Sequence, residues 1–151
     1  VIFLPDVNVL IALAWPNHLH HGVAHSWFAE TIVQNGEFWA TSPLTQLAFV
    51  RISSNPRIID EAVSPEEALN ILERYSAHPS HRFWSDDVPV SAFSKLPASM
   101  LQGHRQVSDA HLILLAKNRR GTLVTFDRAL AASVQNTDFD NSVLLLENSV
   151  V

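Results

Sequence analysis

The chain has 151 residues, no cysteine, 47 % apolar and 17 % charged residues, and a formal net charge of −5. That length suits one domain, 1–151, with a substantial core, and excludes a disordered segment, disulfides and thiolate metal sites. No apolar run reaches the roughly 18 residues of a membrane span, and the acidic balance runs against attachment to nucleic acid by bulk charge.

Any action on nucleic acid therefore needs a positive field from local arginines, a divalent metal or a partner. The apolar stretch Val1–Leu13 has no basic region before it, so it does not read as a signal peptide. With the absence of cysteine, this gives a cytoplasmic expectation.

In chain order, Val1–Leu4 is an apolar run expected to form a strand buried on both faces. Val7–Ala14 is helical in pattern and closes at Trp15-Pro16-Asn17, where proline favours a turn. His21–Val33 predicts a second helix with Val23, Trp27, Phe28 and Ile32 turned inward, and Glu37–Thr41 a second strand. Ser42-Pro43 starts a helix that runs to Ser53, with serine as N-cap and proline in the first turn. Ser64-Pro65-Glu66-Glu67 repeats that signal and adds a capping box between Ser64 and Glu67, predicting a helix to about Ala77. Arg82–Ser85 predicts a short strand, Val90–Leu96 a small helix, and Gln106–Arg119 a long helix stopped by Gly121. Thr122–Phe126 is β-rich, Arg128–Val134 helical, and Ser142–Leu146 a last apolar strand. Strands alternating with helices predict an α/β fold whose parallel sheet is covered on both faces.

Three aspartates stand where such a fold collects side chains. Asp6 follows the first strand, Asp127 follows Thr122–Phe126, and Asp109 opens the long helix; ligands bind parallel sheets at the C-terminal strand ends. Asp109 shares a helix face with Leu112, Ile113 and Ala116, a face directed at the sheet, where an unpaired charge is costly. Two carboxylates ~4 Å apart repel by roughly 4 kcal/mol at an effective dielectric near 20. Crowded acids need a cation, a proton or separation, and with oxygen ligands alone the cation is Mg²⁺ or Mn²⁺. Each acid also has a structural reading: Asp6 and Asp127 as helix N-caps, Asp109 as a first-turn acid favoured by the helix dipole.

Four segments carry a family resemblance: Leu4-Pro5-Asp6-Val7-Asn8-Val9-Leu10, Ser42–Arg51, Val107-Ser108-Asp109-Ala110-His111-Leu112, and Leu123-Val124-Thr125-Phe126-Asp127. In order and spacing they resemble a PIN-domain ribonuclease, specifically a VapC-type toxin of toxin–antitoxin systems. The resemblance implies a three-layer α/β/α sandwich around a parallel sheet, usually dimeric, that cuts RNA with a divalent metal and is held in check by an antitoxin. It implies Asp6, Asp109 and Asp127 as metal-binding and catalytic acids, with Asn8 and Thr125 as polar groups that orient them or the substrate.

Gln46 departs from the family pattern, which commonly has glutamate in this helix. Its amide oxygen can coordinate or accept a hydrogen bond but carries no charge, which implies one firm metal and a weaker second. Arg51 and Arg128 are candidates for gripping phosphates, with Arg105 and His104 behind them, because a guanidinium donates two parallel bonds. Two other readings stand beside this one: a non-catalytic PIN-like module that binds RNA or protein, and a metal phosphohydrolase acting on a small phosphoester.

Weaker signals complete the chain. His18, His20, His21 and His25 cluster, and His21/His25 have the i, i+4 spacing of a zinc helix, without the glutamate of a His-Glu-x-x-His pattern. Asp86-Asp87 could flank the acids or be solvated, His111 is expected to pack, and Trp15, Trp27, Trp39 and Trp84 to serve the core.

Overall fold

The structure, a computed structural model, describes residues 1–147; the last four residues of the expected domain lie outside that range. Five short strands form one sheet: β1 (Ile2–Pro5), β2 (Phe38–Thr41), β3 (His81–Phe83), β4 (Thr122–Thr125) and β5 (Val143–Leu145). Their order is β3-β2-β1-β4-β5 and every pairing is parallel. Successive side chains of a strand point to opposite faces, and the packing follows that rule. Phe3, Trp39 and Val124 join one core; Leu4, Ala40 and Leu123 join the other.

The first core is covered by α1 (Val7–Ala14), α2 (His21–Trp27), α3 (Pro43–Ser53) and α4 (Pro65–Ser76), through residues such as Leu10, Trp27, Phe49 and Leu72. The second is covered by α5 (Val107–Asn118) and α6 (Arg128–Ser133), together with Trp84, Leu96 and Met100 from the intervening segment. The expected three-layer α/β/α sandwich is thus present. From β1 the chain steps outward to β2 and β3, then crosses to β4 on the other side of β1. The sheet reverses direction between β1 and β4, and that switch point opens a crevice at their C-terminal ends.

Caps fix where the helices begin. Asp6 is extended (φ −69°, ψ 172°) and accepts the Val9 amide at 3.0 Å. Ser42 and Thr45 form a reciprocal box in which the Ser42 amide donates to Thr45 Oγ1 at 2.9 Å. Ser64 caps α4 through the Glu67 amide at 3.1 Å, but the reciprocal box expected there forms at Ser42 instead.

Two local expectations change. The second helix widens into π turns over Phe28–Gln34; the looser winding brings Trp27 and Ile32, five residues apart, onto the buried side. Gly121 is not the left-handed stop after α5, since Arg120 takes that conformation (φ 54°). Glycine is required at 121 for space: a Cβ there would lie 2.6 Å from the Ile2 carbonyl and 2.7 Å from the Trp84 ring. Among the described residues no helix is long and apolar enough to cross a membrane.

Candidate functional site

β1 delivers Asp6 to the switch point, where its amide extends the ladder to the Val124 carbonyl at 2.9 Å. Its carboxylate has two roles at once. Oδ1 caps α1, and Oδ2 accepts the hydroxyl of Thr125 at 2.6 Å from the end of β4. Thr125 Oγ1 in turn accepts the Asp127 amide at 3.0 Å, so one hydroxyl ties both strand ends and both acids together. The capping and site readings of Asp6 are compatible.

Asp6 is only 5 % exposed. Burial pushes its carboxyl from 3.8 up to about 6, against the Thr125 hydroxyl and the Val9 and Asn8 amides, which favour the ion; Asp109 adds repulsion in the upward direction. Asp109, in the first turn of α5, also rises to about 6, through burial first and the Asp127 charge second. Both acids open into one cavity of about 140 Å³. α1 contributes Val7 and Asn8 to its lining, α3 contributes Leu44, Thr45, Ala48 and Arg51, and α5 contributes Ser108 and Leu112.

Asp127 stands at the rim. It is exposed, its Oδ1 caps α6 through the Leu130 amide at 3.0 Å, and it lines a neighbouring cleft with His20, Phe126 and Arg128. His20 stacks on Phe126 there at 4.7 Å, and Arg128 lies 3.8 Å from Glu147. The three acids therefore meet at one edge of the sheet, but only Asp6 and Asp109 share the cavity. Among the described residues no group of three or more His, Cys, Asp or Glu side chains is placed to hold a metal ion, so Asp127 does not complete a three-acid site with Asp6 and Asp109.

Gln46 is the expected site residue that the structure does not bring to the acids. Its Nε2 donates to Thr41 Oγ1 at 3.0 Å, and the side chain lines an apolar cleft with Leu47, Leu69 and Phe83. The reason is helical phase. Residues 44, 45, 48 and 51 of α3 face the cavity, and position 46 lies roughly 200° from 44 at 3.6 residues per turn. Ala48 fills the α3 position facing the acids. Arg51 reaches the cavity, whereas His104 and Arg105 are exposed on the turn before α5.

Other side chains serve the fold. His21 Nδ1 is hydrogen-bonded to the Ala12 carbonyl at 2.8 Å and its ring lies 5.7 Å from His25. Trp27, Trp39 and Trp84 are buried in the core. Thr45 and Ser108 lie within the motif segments, but nothing in the sequence assigned them a role of their own. Asp86, just beyond β3, is the acid expected either to flank the others or to be solvated, and the strand-end rule favours the first.

The residues present fit a hard divalent cation. Asp6, Asn8, Thr45, Ser108 and Asp109 present oxygen ligands at the cavity; burial opposes ionisation of the two carboxylates, and a cation offsets that penalty. Mg²⁺ is commonly held by one or two carboxylates, with water and phosphate completing its shell.

Fold and site together define an α/β protein with an acidic centre at its switch point, and the chain belongs to the PIN-domain family, whose model matches residues 3–133. Its similarity to VapC proteins runs along most of its length. Ribonuclease VapC39 of Mycobacterium tuberculosis (strain ATCC 25618 / H37Rv) is 47 % identical over 130 residues, which are 86 % of this chain and 91 % of the relative. Ribonuclease VapC38 of the same strain is 41 % identical over 132 residues, 87 % of this chain and 89 % of the relative. Two solved structures share the fold. VapBC2 from Rickettsia felis, bound to a DNA fragment from their promoter, has a TM-score of 0.61 at 11 % identity and covers 97 % of this chain and 100 % of its own. PAE2754 from Pyrobaculum aerophilum has a TM-score of 0.59 at 21 % identity, over 91 % of this chain and 82 % of its own.

Proposed function

We propose that this protein is a Mg²⁺- or Mn²⁺-dependent endoribonuclease, the toxin of a toxin–antitoxin pair, which hydrolyses RNA phosphodiester bonds. One observation carries the reading: two aspartates, each with a pKa raised to about 6, face one small cavity at the sheet's switch point. The VapC ribonuclease relatives supply the substrate class.

Asp6 and Asp109 would hold the ion, and Asp127 stands outside the cavity at its rim. A bound divalent ion supplies Lewis acidity toward a phosphoryl oxygen and lowers the pKa of a water. The chain's own groups do the rest. Thr125 donates to Asp6 and keeps that carboxylate aimed into the cavity. Asn8, Thr45 and Ser108 offer neutral polar atoms along the wall. Arg51 grips the phosphate at the mouth, and Arg128 engages the strand outside it. The water oxygen joins phosphorus and gives its proton to solvent, the bond to the leaving oxygen breaks, that oxygen takes up a proton from solvent, and no covalent enzyme intermediate forms.

The partners we infer are RNA, a cognate antitoxin and a second copy of the chain. Leu47 (70 % exposed), Leu69 and Phe83 leave an apolar cleft of about 660 Å³ for one such protein contact. Purified protein is expected to cut single-stranded RNA with Mn²⁺ or Mg²⁺, to stop in EDTA, and to lose activity as Asp6→Ala or Asp109→Asn with the fold retained. RNA left intact by wild type across pH 6–9 with either ion would refute the reading. Failure of Mn²⁺ to bind in calorimetry would point to a non-catalytic binding module.

A further inference from the structure

We propose that Asp86 is a positioning residue that sets the width of the acid cavity, a role that rests on the ribonuclease reading above. Its carboxylate bridges the two walls. Oδ2 accepts the Leu44 amide of α3 at 2.7 Å, and Oδ1 accepts His111 Nε2 of α5 at 3.1 Å. Leu44 itself lines the cavity, and His111 lies one residue from the lining Leu112 and two from Asp109. Thus α3, which carries Thr45, Ala48 and Arg51, and α5, which carries Ser108 and Asp109, are held by one side chain that is absent from the cavity lining.

Three features make this a fixed strut and not a solvated surface contact. Both partners are largely shielded, with side chains 20 % (Asp86) and 16 % (His111) exposed. The bond to Leu44 satisfies a first-turn amide that has no partner within its own helix, and a carboxylate acceptor makes such a bond short and strong. The segment carrying Asp86 is itself anchored on both sides. Trp84 and Val88 are buried, the Trp84 amide donates to the Thr41 carbonyl at 2.8 Å, and Arg119 donates to Ser85 O at 3.2 Å and Asp87 Oδ2 at 3.1 Å. A rigid loop therefore offers one carboxylate to two helices. Groups that orient metal-binding residues without touching the ion commonly govern affinity or rate by about 10–100-fold.

The test uses full-length protein, Mn²⁺ alone as the binding probe, and an RNA cleavage assay at saturating Mn²⁺. Asp86→Ala is expected to weaken Mn²⁺ binding and to lower kcat by about tenfold or more, with KM for RNA within about threefold. Asp86→Asn keeps an oxygen for Leu44 and a polar group toward His111, and is expected to recover most of both. His111→Ala cuts only the α5 end and gives the same signature at smaller size, which keeps the test open should Asp86→Ala fail to fold. Unchanged Mn²⁺ affinity and kcat in folded Asp86→Ala, or a loss confined to thermal stability, overturns the proposal. A crystal structure of Asp86→Ala decides it independently of activity: α3 and α5 unmoved across the cavity overturns the strut. Wild type that neither binds Mn²⁺ nor cuts RNA refutes the ribonuclease reading instead.

Discussion

Replacing Asp6 by asparagine is expected to stabilise the metal-free protein at neutral pH. The Asp6 carboxyl has a pKa of about 6 in the folded chain against 3.8 in the unfolded one, with burial the largest cause. A raised folded pKa means that the native state holds its proton more tightly, so stability is full below about pH 4 and falls as pH rises through about 6. A difference near two pKa units amounts to about 3 kcal/mol above pH 6, at 1.36 kcal/mol per unit. Asp6→Asn lacks the ionisable group. Its amide oxygen still accepts from Val9, and its NH₂ faces Thr125 Oγ1, whose proton then needs a new acceptor at a cost of about 1 kcal/mol. The net expectation is a gain of about 2 kcal/mol at pH 7.5 and a loss of about 0.5 kcal/mol at pH 4. Urea unfolding followed by tryptophan fluorescence in EDTA, at both pH values, measures it; Asp109 titrates in both proteins and cancels to first order. Equal effects at pH 4 and pH 7.5, or a destabilised variant at pH 7.5, would show that Asp6 is not held against its charge.

The same titrations set metal affinity. Mn²⁺ binding by wild type is expected to strengthen from pH 5 to pH 7.5 by about tenfold for each carboxylate that must lose a proton, and a flat calorimetric profile would contradict this. Gln46→Ala removes a donor to Thr41 and should cost about 1 kcal/mol of stability while leaving RNA kcat/KM within about threefold; a hundredfold loss of rate would restore Gln46 to the catalytic set. Gly121→Ala forces a methyl against the Ile2 carbonyl and the Trp84 ring and should lower stability by about 2 kcal/mol or more, read from the urea midpoint; a neutral result would mean that β1 and Trp84 can yield.

Most of the architecture was legible because its signals are local. Serine before proline at 42–43 and 64–65 marked two helix starts, and strand-like runs at 1–4 and 122–126 marked the two strands at the switch point. The convergence of Asp6 and Asp109 followed from the rule for parallel strand ends together with the apolar face that Asp109 shares. What escaped depends on angle and on distant neighbours. Gln46 sits two residues from Ala48 in a motif-like helix, and only the phase of α3 tells which of them faces the acids. Asp86 looked like one of two solvated loop acids because its partners, Leu44 and His111, are 42 and 25 residues away. Gly121 carried the sequence signature of a helix stop, yet its neighbours Ile2 and Trp84 are far off in sequence and decide its identity. Asp127 matched its motif, while the capping of α6 leaves it at the rim.

The hydroxyl that joins Thr125 to Asp6 spans 119 residues, and this has a consequence during synthesis. A ribosome must thread out all the residues between them before the first strand meets the fourth, because β4 completes the crevice in which Asp6 sits. Products aborted at any earlier codon lack that crevice. On the proposed function, fragments that stop short of β4 are harmless to the cell that makes them.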